Sequence, residues 1–233
     1  MMKVFPFFQD MTDRTFLVVG AGSIARRKIR LILQFTDRVL VITNRKAGSD
    51  REAGDLTAFE EAGAEVLNRA FRDADLEMAD FCIASSDDSA LNHHIAELCL
   101  RRGIPVNVPD DPAWCSFYLP AVIKKGDLII AVSTGGKSPA MAGWLRRRLE
   151  KDLPDHIEEI LDIMGRLREW LPDRVADSGR RGRIYKEVLA ALTCGELEVS
   201  ENGVRDYVLK KLKENGSGDQ KQEEFPAGPS IGP

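Results

Sequence analysis

The sequence predicts an α/β fold in which an amino-terminal parallel sheet is followed by a small β/α segment and an all-helical carboxyl-terminal domain. A run of apolar β-formers at 15–19, T-F-L-V-V, leads through a glycine turn into a helix. Strand-like and helix-like stretches then alternate, which is typical of parallel strands joined by right-handed crossovers. Beyond Pro154 the apolar spacing is helical throughout.

In the amino-terminal part, continuous apolar runs predict buried strands at 15–19, 38–43, 65–68, 81–84 and 105–108. Helices are expected directly after the glycine turn, at about 51–62 and at 89–102. The last of these is preceded by Asp87 and Asp88, which favour helix caps, and is followed by Gly103, which favours a helix end.

From Asp110 onward the residue pattern changes to an extended, hairpin-like one. A hairpin is predicted around Gly126 and Asp127, and Ser138 is expected to cap a helix that has Pro139 in its first turn. We assign 113–152 to a dimerisation segment, because an exposed apolar stretch such as 114–123 is a liability in a monomer. A helical domain is expected at 153–213, with breaks near 172–183 and at Gly195, before a disordered tail at 214–233 that is rich in Gly and Pro.

Composition narrows the function classes. The 233 residues are 43% hydrophobic, and 33 Lys plus Arg stand against 37 Asp plus Glu, for a net charge of -4. Such a chain builds one large domain or two small ones and lacks the basic field of a nucleic-acid coating protein. Its apolar runs are far shorter than the roughly 20 residues of a membrane span. We therefore expect a cytoplasmic protein that binds neither nucleic acid nor membrane.

The cysteines and histidines predict no metal centre. His93 and His94 are adjacent, so on a helix their side chains point about 100 degrees apart and do not face one ion. The cysteines lie far apart and form no C-x-x-C pair, at Cys82, Cys99, Cys115 and Cys194.

The glycine turn carries the strongest chemical signal. Gly20, Gly22 and Ala25 fit the pattern G-x-G-x-x-A between a strand and a helix, which is the context of a Rossmann dinucleotide-binding domain. Gly20 permits the tight turn, and Gly22 lets the backbone approach a pyrophosphate. The helix N-terminus offers N–H groups and the positive end of its dipole. We assign residues 1–112 to this NAD-binding domain.

The end of the second strand leaves the choice of dinucleotide open. The acid expected about 20 residues after the glycines is missing, and Thr43, Asn44 and Arg45 stand there. Arg45 is compatible with the 2'-phosphate of NADP, whereas Asn44 is able to bond the ribose hydroxyls of NAD.

Two further segments have a chemical and a structural interpretation. Asp110 follows a strand and is placed for a general base, although the residues alone favour a turn-forming aspartate in P-D-D-P. The loop 133–139, S-T-G-G-K-S-P, either presents N–H groups to an anion or merely caps a helix. Lys124 and Lys137 are able to pair with a carboxylate ligand, and the Arg triplet 146–148 is better read as a solvated helix face.

Four ordered segments together carry a family resemblance. They are F-P-F-F-Q-D-M-T-D-R-T-F-L-V-V-G-A-G-S-I-A-R-R-K at 5–28, A-S-S-D-D-S-A-L-N at 84–92, N-V-P-D-D-P-A-W-C-S-F-Y-L-P-A-V-I at 107–123 and A-V-S-T-G-G-K-S-P-A-M-A at 131–142. In this order they resemble the precorrin-2 dehydrogenase family, which comprises the N-terminal module of siroheme synthase and its stand-alone relatives.

The resemblance implies an NAD-dependent enzyme of siroheme biosynthesis that oxidises precorrin-2 to sirohydrochlorin and forms a homodimer. It makes Asp110 the acid/base residue. Some members of the family also insert ferrous iron, and the sequence leaves that activity open. The cofactor contacts implied are Gly20, Gly22, Ser23, Ile24, Asn44 and Arg45. The candidate substrate contacts are Ser133, Thr134, Gly135, Gly136, Lys137 and Lys124.

Two other functions are weighed against this one. A redox sensor that reads NADH and binds DNA would show a basic recognition helix, but the helical region mixes both signs of charge. A Rossmann oxidoreductase with an unrelated substrate is compatible with the glycine loop alone. The segments N-V-P-D and S-T-G-G-K-S-P argue against it.

Overall fold

The computed structural model describes residues 4–44, 54–109 and 111–214. The chain divides into two compact units, Met1–Leu119 and Pro120–Pro233. The three folded domains and the tail expected from the sequence remain a prediction, and the tail falls almost wholly outside the described residues.

The first unit is built on a five-stranded parallel sheet. The strands lie in the order β3-β2-β1-β4-β5, so that β1 sits in the centre. Their bounds are β1 Phe16–Val19, β2 Val39–Thr43, β3 Glu65–Asn68, β4 Phe81–Ala84 and β5 Val106–Asn107. The helices of this unit are α1 Ser23–Ile32, α2 Gly54–Glu61 and α3 Ser89–Arg102. The predicted fold class is confirmed.

Alternation along β1 explains why this sheet has helices on both faces. Leu17 and Val19 belong to one core, which includes the buried face of α3. Phe16 and Val18 belong to the other, which includes Ala25 and Ile29 of α1. Because successive side chains of a strand point to opposite faces, a continuous apolar run feeds two cores at once.

β5 is shorter than the predicted strand 105–108. The backbone of Val108 forms hydrogen bonds with a side chain instead of a neighbouring strand. Its N–H and its carbonyl both bond the Cys115 thiol, at 3.2 Å each. Burial raises the pKa of Cys115, so the thiol keeps its proton and donates it to the carbonyl. The strand therefore ends where the chain turns toward a short 3₁₀ helix at Pro112–Trp114.

Over its described residues, 120–214, the second unit contains an antiparallel hairpin and four helices. The strands β6 Ala121–Lys125 and β7 Leu128–Val132 are joined by a turn in which Gly126 has a φ of +53°. The helix α4 Pro139–Asp152 contacts both strands. A separate apolar core joins α5 Ile157–Trp170, α6 Ser178–Thr193 and α7 Glu201–Glu214.

Two expectations for this part of the chain need correction. The break between helices predicted at 172–183 is too long, because α6 already begins at Ser178, five residues before the predicted end of the break. The Asp177 carboxylate caps this helix by accepting from the Arg180 N–H at 2.6 Å. The stretch 114–123 is not an exposed patch, since Trp114 and Tyr118 pack on one core and Phe117 on the other.

Among the described helices, none is both long enough and apolar enough to span a membrane.

Candidate active site

A cleft of about 460 Å³ opens at the carboxyl ends of the parallel strands of the first unit. Its lining comes from the glycine loop Gly22–Ile24, the loop between β4 and α3, the start of α3 and the chain that follows β5. β1 is paired with β2 on one side and with β4 on the other. The order of the strands reverses at this point, which is where open α/β sheets bind ligands.

Gly20 makes the turn from β1 into the cleft. Its φ is +108°, and a Cβ at this position would lie 2.2 Å from the Ser85 carbonyl oxygen. The Gly20 N–H donates to the Ile42 carbonyl at 2.8 Å, so the turn is also tied to β2. Only a residue without a side chain fits between these neighbours.

Gly22 is the N-cap of α1 and leaves its first turn open. Gly22 has no side chain that could cap the helix, and a Cβ built on it would lie 3.9 Å from the Asp87 carboxylate. Ser23 and Ile24, the first two helical residues, line the cleft. A pyrophosphate therefore fits this position, because the N–H groups of a helix start need acceptors and the helix dipole favours an anion.

Hydrogen bonds within the segment 85–92 fix the opposite wall of the cleft. The Asn92 side chain accepts from the Ser86 N–H at 3.0 Å and donates to the Ser86 carbonyl at 3.0 Å. The Asp88 carboxylate accepts from Ala90 and Leu91 and caps α3, as expected from the sequence. The motif A-S-S-D-D-S-A-L-N therefore builds a rigid wall against which a cofactor can be held.

His93 and Asp111 were missed as site residues by the sequence reasoning, which considered His93 only as a metal ligand. Both line the cleft, and the His93 Nε2 lies 2.9 Å from the Asp111 Oδ2. The imidazole stacks on the Trp114 ring, with centroids 5.0 Å apart and planes 19° apart. No local pattern joins these residues, because their contact depends on where α3 and the end of β5 meet.

The predicted site residues of the first unit are placed as follows. Gly22, Ser23 and Ile24 line the cleft, and Gly20 forms the turn that leads into it. Asn44 is exposed directly after β2. Arg45 and Asp110 lie outside the described residues.

The predicted substrate contacts all lie in the second unit. Lys124 and Lys137 are exposed, as are Ser133 and Gly136, whereas Thr134 and Gly135 are half-buried. The Thr134 hydroxyl accepts from the Ser138 N–H at 3.1 Å, and the Ser138 hydroxyl accepts from the Met141 N–H at 3.1 Å. These hydroxyls cap α4, and the role of the loop in binding an anion stays a prediction.

The fold and the cleft together define a dinucleotide-binding α/β protein. Residues 7–121 match the family model described as putative NAD(P)-binding, and residues 125–152 match the model described as sirohaem biosynthesis protein central. In these two segments the chain is similar to proteins of sirohaem biosynthesis.

Individual relatives agree with the family. The siroheme synthase of Thioalkalivibrio sulfidiphilus is 36% identical over 215 residues, which are 91% of this chain and 42% of that protein. The siroheme synthase of Pseudomonas fluorescens is 35% identical over 187 residues, which are 80% of this chain and 39% of that protein. The chain thus spans about 40% of the length of these curated relatives.

A solved structure shares the fold. The precorrin-2 dehydrogenase SirC superposes with a TM-score of 0.68 at 19% identity, and the match covers 90% of this chain and all of SirC.

Proposed function

We propose that the chain is an NAD-dependent dehydrogenase that oxidises precorrin-2 to sirohydrochlorin in the cytoplasm. The observation that carries the proposal is a single cleft lined both by the glycine loop at Gly22 and by Pro109 and Asp111, the neighbours of Asp110 in the sequence. The family and the activity in the name of SirC support the substrate. The four free cysteines are in keeping with a reducing compartment.

The residues of the cleft would hold NAD by its pyrophosphate and leave the chemistry to its nicotinamide, which supplies the hydride acceptor when bound. Gly20 and Gly22 let the backbone approach the phosphates, and the N–H groups at the start of α1 donate to them. Asp110 takes the proton that leaves the substrate together with the hydride. Holding both reactants in register lowers the barrier, because it removes the entropy cost of bringing them together.

The choice of NAD over NADP rests on Asn44, which follows β2 and has an exposed side chain that can bond a ribose hydroxyl. Contacts to the carboxylates of the macrocycle are assigned to the cationic and hydroxyl groups of the second unit, with Lys124, Lys137 and the loop 133–136 as the candidates.

The same proposal includes a homodimer formed by the second unit. The α4 side chains Met141, Trp144 and Leu149 are 49%, 55% and 40% exposed in the single chain, which is unusual for large apolar groups on one helix. Light scattering should give twice the chain mass of 25.9 kDa, and Trp144→Glu should return it to a single chain. A wild-type protein of single-chain mass would contradict this part of the proposal.

The test of the activity is an anaerobic absorbance assay with enzymatically generated precorrin-2 and either NAD or NADP. Wild type should form the reduced cofactor and sirohydrochlorin together, and Asp110→Ala should lose about 10² to 10⁴ in rate. Absence of turnover by wild type with both cofactors would reject the dehydrogenase.

Ferrous iron is added in a separate arm of this assay to test it as a second substrate. Within the described ranges, no three His, Cys, Asp or Glu side chains lie together as a ready metal cluster. Siroheme formed faster than in a protein-free control would add a chelatase activity.

A further inference from the structure

The His93–Asp111 pair lies in the candidate active site and has no role in the proposed function as described above. Its side chains are 40% and 37% exposed, so the pair is reached by both a ligand in the cleft and water. An imidazole beside a carboxylate is the arrangement in which enzymes most often move protons near neutral pH.

Two contacts hold the imidazole in one orientation. α3 carries His93 in its second turn, and Asp111 Oδ2 lies 2.9 Å from Nε2. Asp111 is itself fixed, because its Oδ1 accepts from the Ala113 N–H at 3.3 Å and caps the short 3₁₀ helix. Trp114, on that same helix, stacks on the ring. The base and the group that orients it are therefore built into secondary structure and do not depend on a mobile side chain.

The chemistry of the pair follows from the acceptor character of a carboxylate. An ionised Asp111 can only accept, so the hydrogen bond places a proton on Nε2 and leaves the lone pair of the neutral ring on Nδ1. Once Nδ1 takes up a second proton, the imidazolium forms an ion pair with Asp111 and lies against the π face of Trp114.

We propose that His93 is a proton-relay residue of the dehydrogenation and that Asp111 is its positioning residue. The inference rests on the proposed function. In each turnover one hydrogen of the macrocycle leaves with its bonding electrons as a hydride to the cofactor, and a second leaves as a proton. After the acid/base step of the proposed function, Nδ1 of His93 receives that proton within the cleft, and the imidazolium releases it to water. Substrate and NAD thus give product, NADH and one proton.

The chain offers a matched control in His94. This neighbour of His93 on α3 makes the same type of pair, with Asp73 at 2.9 Å, but it does not line the cleft. Glutamine at either position keeps an N–H donor for the carboxylate and removes the base. Both variants therefore lose a carboxylate-paired base, and only His93→Gln loses one that lines the cleft and stacks on Trp114.

We expect His93→Gln to lower kcat about a hundredfold while the dissociation constant of NADH, measured by fluorescence, changes less than about twofold. His94→Gln should stay within about twofold of wild type in both quantities. Added imidazole should restore kcat to His93→Ala and should leave His94→Ala unchanged. Equal kcat for the two glutamine variants, or absence of rescue by imidazole, would overturn the relay.

Asp111→Asn keeps the relay testable even if the His93 variants fail to fold. The amide holds the ring without stabilising its charge, so kcat should fall about tenfold, and an unchanged kcat would overturn the proposal. Wild type without turnover rejects the proposed function and the relay together. The relay alone is rejected if wild type is active, Asp110→Ala is inactive and His93→Gln is fully active.

Discussion

Two glycine-containing loops of this protein lead from a strand into a helix, and they treat the N–H groups of that helix in opposite ways. In the first unit, Gly22 caps α1 and offers no side chain to its first turn. In the second unit, Ser138 caps α4 with its own hydroxyl, and Thr134 accepts from the Ser138 N–H. The cap residue of the first helix has no side chain to occupy the N–H groups of its first turn, whereas the cap residue of the second helix occupies one of them with its own hydroxyl.

This difference explains why similar sequence patterns have different chemical value. A helix start binds an anion through N–H groups that have no partner within the chain. Gly20 and Gly22 are therefore placed for a pyrophosphate. The loop 133–138 can contribute to substrate binding mainly through the cation of Lys137 and the remaining backbone groups.

The largest expected effect is a difference in the free energy of unfolding between alanine substitutions of a glycine in each of the two turns. Gly20→Ala should lower the free energy of unfolding by about 3 to 5 kcal/mol, because a positive φ is combined with a Cβ inside contact distance of the Ser85 backbone. Gly135→Ala, at a φ of +60° with nothing within 4 Å, should cost only about 1 to 2 kcal/mol. Urea unfolding of both variants measures the difference. Equal losses would show that φ alone, and not the close approach to Ser85, governs the first turn.

The fold could be predicted because its signals are local. The run at 15–19, the turn at Gly20 and the cap at Asp88 each act within a few residues, and the structure places each of them as the pattern indicates. Parallel sheet and crossover helices follow from their alternation.

The site could be predicted only in part. The His93–Asp111 contact joins residues 18 positions apart, and Asp111 lies beyond β5, where Val108 bonds the Cys115 thiol instead of a neighbouring strand. Neither the bonding of that thiol nor the stacking on Trp114 has a periodic signature in the sequence. The prediction that the apolar stretch 114–123 is exposed was wrong for the same reason, since its aromatic side chains pack on two cores.

A smaller effect is expected from removing the cap of α4. Ser138→Ala deletes the acceptor of the Met141 N–H and should lower the free energy of unfolding by about 1 kcal/mol. The dissociation constant of NADH should not change, because the Ser138 hydroxyl serves its own helix. Urea unfolding and NADH fluorescence titration test both statements. A weaker affinity for NADH with unchanged stability would mean that this loop, too, serves the dinucleotide.

Gly22→Ser should have the smallest effect on stability and should still weaken the binding of NADH. The backbone at Gly22, with φ -68° and ψ 176°, suits a serine N-cap, and the space around it is open to 3.9 Å. The new hydroxyl should raise the free energy of unfolding by about 0.3 kcal/mol. It should also weaken NADH binding about tenfold, because it takes a helix N–H and fills the place of a phosphate oxygen. Fluorescence titration beside urea unfolding would show the opposite signs. A serine variant that binds NADH as tightly as wild type would mean that the open start of α1 is not where the pyrophosphate lies.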